Sequence, residues 1–314
     1  MRERAMVPEP EFESYYGKQI IKTPTWKTPD VPIYLFVGGM AGASALLAEG
    51  AARSGRPGLE GVARGAAAGG AVVGTVALIH DLGRPERFLN MLRVLKVTSP
   101  LSVGSFILAP FAGLSVAAFA SHVSGRVPRI GRLAGLGAAA FGPPLTTYTA
   151  ALLCNTAVPA WHEGHQEMPF LFAGSGATAA GGLAMVLTPA AENGPARRMA
   201  IAGAGLELAA AQRLKHRLGM VAEPYEIGRP GLLMRTARAM TAASAVVSLV
   251  AGRNRAVSVV AGTSYVAASL ITRFGVFEAG LTSARDPKYT VIPQRERLER
   301  RRAEREHEDA RPAR

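Results

Sequence analysis

Charge-free apolar runs alternate with short polar connectors along most of the chain, and that alternation predicts its architecture. Residues 31–48 carry no charge and form a first expected membrane span, with Gly38, Gly39 and Gly42 leaving room for a neighbouring helix. Further runs at 65–80, 102–122, 133–155, 169–187, 198–217, 235–251 and 256–277 predict the others, close to the roughly 20 residues a helix needs to cross hydrocarbon. The 65–80 run is marginally short, and the 133–155 run is interrupted by Gly142-Pro143-Pro144, where freed carbonyls need partners or a water-lined cavity. The pattern therefore predicts an all-α integral membrane bundle of eight transmembrane helices over residues 31–283. A polar interfacial arm, 1–30, precedes it and a charged tail, 284–314, follows.

One connector stands apart. Residues 80–105, HDLGRPERFLNMLRVLKVTSPLSVGS, hold the largest set of ionisable groups between two spans. Asp81, Gly83 and Pro85 break the helix, 86–96 has the pattern of a short amphipathic surface helix, and Thr98-Ser99-Pro100 offers a helix start. Eight spans would put both termini and the 81–99, 156–168 and 218–234 loops on one face, here termed the N-face. Asp30 and Tyr34 open the first span, His80 and Asp81 close the second, Tyr148 lies in the second half of the fourth, and Arg273 in the matching half of the eighth. Trp161, His162 and His165 follow the fourth span on the same side. Polar residues scattered at random would not agree in depth, so the N-face half of the bundle is the expected site. The balance of Lys and Arg near the spans favours a cytoplasmic N-face.

Composition narrows the chemistry. The chain is 48% hydrophobic, only 6% aromatic, and holds 35 Gly, which fits a helical membrane protein built on small residues. A net charge of +13 would point to nucleic acid in a soluble protein, but the arginines sit in connectors and tails as membrane proteins place them, so no nucleic-acid partner is expected. The single cysteine, Cys154, excludes an intrachain disulfide and a Cys-ligated iron–sulfur cluster within this chain. Residues 1–30 are polar rather than the apolar stretch of a cleavable signal. His80 and His122 fall near opposite faces and His216 at a helix end, so no bis-His pair for haem is expected. His162-x-x-His165 lacks a third ligand, and no metal site is expected there. Glu207 is the one acid in mid-membrane, a place costly enough to mark function, either as a proton carrier or as a partner for Arg273.

Three motifs carry a resemblance: Pro32-x-Tyr34-x-Phe36-x-Gly38-Gly39-x-Ala41-Gly42, Asp81-Leu82-Gly83-Arg84-Pro85-x-Arg87-Phe88, and Thr98-Ser99-Pro100-x-Ser102-x-Gly104-Ser105, with weaker matches at Tyr148-Thr149 and Pro159-x-Trp161. In these the chain resembles the NrfD/polysulfide reductase membrane-anchor subunits over about residues 26–283. The resemblance implies a quinone (menaquinone or ubiquinone) bound near the N-face, and electron exchange with a ferredoxin-like iron–sulfur subunit docked there. Through it a molybdopterin catalytic subunit would be served, all at the plasma membrane. It implies that Tyr148 contacts the quinone. Asp30 stands where members tend to place a polar or ionisable residue, often His or Asn. Tyr34, His80 and Arg84 complete the expected binding set, while Asp81 and Glu207 are the expected proton-exchanging groups. The basic surface around Arg84, Arg87, Arg93, Lys96 and the charged tail is the expected docking area. A secondary transporter, which would also carry a mid-membrane acid, and a purely structural anchor are the rival readings.

Overall fold

The computed structural model describes residues 19–82, 86–250 and 254–309. The chain runs α1 (Asp30–Arg53), α2 (Pro57–Asp81), a short α3 (Arg87–Met91), α4 (Pro100–Ser124), α5 (Pro128–Cys154) and a short α6 (Pro159–His162). A 3-10 turn (Glu163–Gln166) leads to α7 (Met168–Leu187) and α8 (Gly194–Leu218), and a second (Gly219–Tyr225) to α9 (Gly228–Val250), α10 (Arg255–Arg285) and the tail helix α11 (Lys288–Asp309). Proline opens α2, α4, α5, α7 and α8, where its missing N–H costs no helical bond. Ser99 caps α4 by accepting from the Ser102 N–H, and Asn254 caps α10 by accepting from the Val257 N–H.

Among the described residues each of the eight apolar runs falls in its own long helix, to within a residue at its end. Among the described residues five of these, α1, α2, α4, α7 and α10, are long and apolar enough to cross a membrane. α5, α8 and α9 have the length, at 27, 25 and 23 residues, but threonines, prolines or charges lower their apolar content. The helices overrun the expected spans: α2 starts at Pro57 and α10 ends at Arg285. Two expectations change. Gly142-Pro143-Pro144 does not interrupt α5, which is one continuous helix in which the Thr146 and Thr147 hydroxyls donate back to the Gly142 and Pro143 carbonyls at 2.9 and 3.0 Å. The 86–96 surface helix shrinks to Arg87–Met91, anchored to the core by Phe88, and Arg93–Val97 lies exposed.

α1 is the centre of the bundle, packed against α2, α5, α7 and α10. Its crossing with α5 is made at bare backbone: a β-carbon on Gly42 would stand 2.5 Å from the Gly142 carbonyl oxygen, and one on Gly142 equally close to that of Gly42. Such contact replaces side-chain interdigitation where lipid gives no hydrophobic drive to helix association.

Candidate functional site

The N-face end of α1 gathers the residues expected there. Asp30 opens α1, and its Oδ2 lies 2.8 Å from Nδ1 of His80, near the end of α2. Asp81 accepts from the Lys27 N–H at 3.2 Å, and the Lys27 ammonium reaches the His80 carbonyl at 3.5 Å, so the segment before α1 is strapped to the end of α2. One helical turn below Asp30, Tyr34 is 2% exposed and faces Tyr148 of α5. The two phenols are close enough to interact, yet Tyr34 Oη is buried with no hydrogen-bond partner of good geometry. A buried hydroxyl left unpaired is costly and marks a place where a ligand or water would be held.

Gly104 of α4 explains how Tyr148 fits. A β-carbon at that position would meet Tyr148 Cζ at 1.8 Å and Oη at 2.1 Å, so the ring lies directly on the helix backbone. The glycine belongs to the Thr98–Ser105 motif, and its role was not evident from sequence. Arg84 lies outside the described residues, as does the side chain of Arg87.

Trp161 is not a loop residue. It is fully buried, donates from Nε1 to the Val276 carbonyl at 2.8 Å, and stacks on Trp26 with ring centroids 5.6 Å apart. Gly280 on α10 makes the room, since a β-carbon there would stand 1.9 Å from Trp161 Cε2. His162 and His165 turn Nδ1 to backbone carbonyls of Cys154 and His162, at 3.1 and 3.0 Å. Among the described residues no three His, Cys, Asp or Glu gather as metal ligands would. Glu167 takes a different part. Only 1% exposed, it is clasped by Arg217, with Nη2 at 2.6 Å and Nε at 2.7 Å, and approached by Arg213 at 3.4 Å. Burial pushes its carboxyl up, but the bonds and charges of the two arginines outweigh that and hold it below the ordinary 4.5.

A second polar group lies deeper, among α7, α8 and α10. Glu207, 3% exposed, accepts from the Thr272 hydroxyl at 2.8 Å and from Thr178 at 3.5 Å. The direct pair with Arg273 does not form within 4.0 Å among the described residues. Arg273 instead donates from Nη2 to the Phe172 carbonyl at 2.9 Å and lies over the Phe172 ring at 3.7 Å, its Nε and Nη1 buried without partners. Thr272, the residue before it, binds the acid, a placement with no signal in the sequence. Nη2 of Arg273 also reaches α1, 3.0 Å from where a β-carbon on Gly39 would stand, five residues along the helix from Tyr34.

Apolar helices long enough to cross a bilayer, with buried phenols and an acid–histidine pair at one end, define an integral membrane protein with a polar site at one face. The profile of the polysulphide reductase NrfD family matches residues 21–202, more than half of the chain, and the chain belongs to that family. It is thus a membrane subunit of the oxidoreductase-complex type, in a family that reacts with quinone. A comparison with curated proteins returned no match. The matched span contains Asp30, Tyr34, His80, Asp81, Gly104, Tyr148 and Trp161, and ends before Glu207 and Arg273.

Proposed function

We propose that the chain binds quinone or quinol where Tyr34, Tyr148, Asp30 and His80 meet, and exchanges electrons with a ferredoxin-like iron–sulfur subunit docked on the N-face. That partner would connect it to a molybdopterin catalytic subunit. In this reading all eight long helices span the plasma membrane, with the N-face and both termini cytoplasmic.

The observation that carries the reading is the buried, unpartnered Tyr34 Oη beside Tyr148, below an Asp–His pair. Quinone supplies a two-electron, two-proton couple with two carbonyl oxygens, and it asks the protein for hydrogen-bond donors and for groups that take and release protons. Tyr34 and Tyr148 are donors set in an apolar surround, where a hydrogen bond is electrostatically stronger than in water. Gly104 holds the Tyr148 ring in place. The Asp30 Oδ2–His80 Nδ1 contact is a proton-exchanging pair, with His80 exposed to the N-face and Asp30 mostly covered. Asp81, fixed by the Lys27 N–H, keeps the end of α2 and the segment before α1 over the pair. Glu207, bonded through Thr272, is a second place where a proton can reside, deeper in the bundle.

The test uses the purified complex. Tyr148→Phe and Asp30→Asn are expected to lower quinol turnover by about 100-fold, the lower end of what a positioned acid–base group contributes. Reduction of the iron–sulfur partner by an artificial donor should be unchanged. Full quinol turnover in both variants would sink the reading.

A further inference from the structure

At the end of the bundle opposite Tyr34 and Tyr148, α1 ends, α2 begins, α4 ends and α5 begins. There the four helices part around a cavity of about 560 Å³. Its depth can be ordered by exposure. Arg64 is innermost at 8%, and the Glu49 and Glu60 side chains follow at 14% and 18%. Arg53, at 70%, and the exposed Arg132 form the rim. Arg64 ties the inner wall together, donating from Nη1 to the Ala118 carbonyl at 3.1 Å and from Nη2 to Glu60 at 2.8 Å, while its Nε is buried without a partner. Glu60 lies 3.7 Å from His122, and Glu49 is 2.8 Å from Arg53. Arg132 makes no ion pair among the described residues.

A second, narrow cavity of about 10 Å³, space for a single water, shares Glu49 and Arg64 with the first and is lined by Ser115, whose Oγ is buried without a protein partner. Further in along the same helices come Phe111, Leu108 and Leu145, each 2% exposed or less, before Gly104 and Tyr148 are reached. These three apolar side chains pack between the cavity and the Tyr148 ring.

Glu49 and Glu60, each paired with an arginine, lie between the inner Arg64 and a rim of Arg53 and Arg132, and this alternation of charge complements a ligand that carries an ammonium a short spacer away from a phosphate. A carboxylate has about four acceptor sites, and Glu49 and Glu60 each spend one or two on their arginines, so both can still accept. A phosphatidylglycerol head group would hold its phosphate at the same arginines and offer the carboxylates only neutral hydroxyl donors, whose hydrogen bonds are weaker than those of an ammonium. A quaternary ammonium has no N–H to donate. Beside the cavity, Val116, Val123, Ile130 and Leu133 stand exposed on α4 and α5, an apolar flank on which acyl chains can lie.

We propose that this cavity binds the head group of an amino-phospholipid of the phosphatidylethanolamine type, with its ammonium donating to Glu49 and Glu60 and its phosphate held by Arg53 and Arg132. The site stands apart from the quinone reading and needs only that the chain lie in a membrane.

The test titrates the delipidated full-length chain in detergent with phosphatidylethanolamine, phosphatidylcholine, phosphatidylglycerol and soluble glycerophosphoethanolamine, and reads binding by native mass spectrometry. Phosphatidylethanolamine should bind about tenfold tighter than the other two lipids, the factor one charge-assisted hydrogen bond supplies. Glu49→Gln should abolish that preference; its partner Arg53 is exposed, so the fold should tolerate the change. Arg132→Gln, at the exposed rim, should weaken phosphatidylethanolamine and phosphatidylcholine alike. Equal affinity for the three lipids, or a preference that survives Glu49→Gln, overturns the proposal. Binding of the soluble head group as tight as that of the lipid overturns the lipid part and makes the ligand a free amino-phosphate.

Discussion

Gly104 on α4 lies so close beneath the phenol of Tyr148 on α5 that a β-carbon there would stand 1.8 Å from Cζ. The motif residue and the expected quinone-contacting residue are therefore one feature: the helix backbone of α4 is the seat of the ring. A ring seated on backbone cannot change rotamer without leaving its pocket, which fixes where its hydroxyl points.

Gly104→Ala is expected to unseat Tyr148. Overpacking of this kind costs about 1–3 kcal/mol, and quinol turnover should fall at least as far as in Tyr148→Phe, which keeps the ring and loses only the hydroxyl. Thermal unfolding and turnover, measured on the same preparations, separate the two effects: the alanine should lower both, the phenylalanine mainly turnover. An alanine variant with native stability and turnover would mean that the seat is looser than the contact distance implies.

The Asp30–His80 pair invites the opposite split. The His80 side chain is 71% exposed, and pairs at such positions contribute about 0–1 kcal/mol to stability. His80→Gln and Asp30→Asn should leave the unfolding temperature nearly unchanged while slowing proton-coupled quinol oxidation and altering its pH profile. A stability loss well above 1 kcal/mol with a native pH profile would make the pair a structural clamp between α1 and α2.

Much of this site was legible because it follows from span ends. Asp30 and His80 each stand at the edge of an apolar run, so any up-and-down threading puts them at one face, and the structure brings them to 2.8 Å. Trp161 was harder. Its neighbours His162, Glu163, His165 and Glu167 have the pattern of a solvated loop, but α6 folds back on α10, where Gly280 offers a slot, and nothing near Trp161 in sequence records a glycine 119 positions away. Lys27 and Thr272 carried no signal for the same reason, since each acts on a partner more than 50 residues distant. The continuity of α5 through Pro143-Pro144 shows the converse: a strong local breaker yields when packing on both sides supports the helix.

Glu207 can be tested without disturbing the Tyr34–Tyr148 pair. Thr272→Val removes the 2.8 Å bond to a fully buried carboxyl and should cost about 1–3 kcal/mol, which Thr272→Ser should restore. Glu207→Gln keeps the shape and an acceptor oxygen but cannot carry a proton. If Glu207 holds protons during turnover, the glutamine variant folds and loses rate. A glutamine variant with full rate leaves Glu207 a structural anchor between α8 and α10.

The Glu167–Arg217 clasp makes the fold acid-sensitive with a definite sign. Its folded carboxyl is held below the ordinary 4.5, so the clasp contributes its full stability above that value and loses it as pH falls through the lower folded value. Arg217→Gln leaves a carboxylate that is 1% exposed with only the more distant Arg213. Because Arg217 itself keeps 29% exposure, the expected cost is roughly 2 kcal/mol, below the ~3–5 of a fully buried pair. That cost should appear near neutral pH and shrink in acid, where the wild-type clasp is also being lost. Unfolding temperatures taken from about pH 3 to pH 7 should therefore converge for the two proteins at the acid end. Parallel curves across that range would show that Arg217 holds the Glu163–Glu167 turn by its contact with the Glu163 carbonyl alone, and that the carboxylate charge adds nothing.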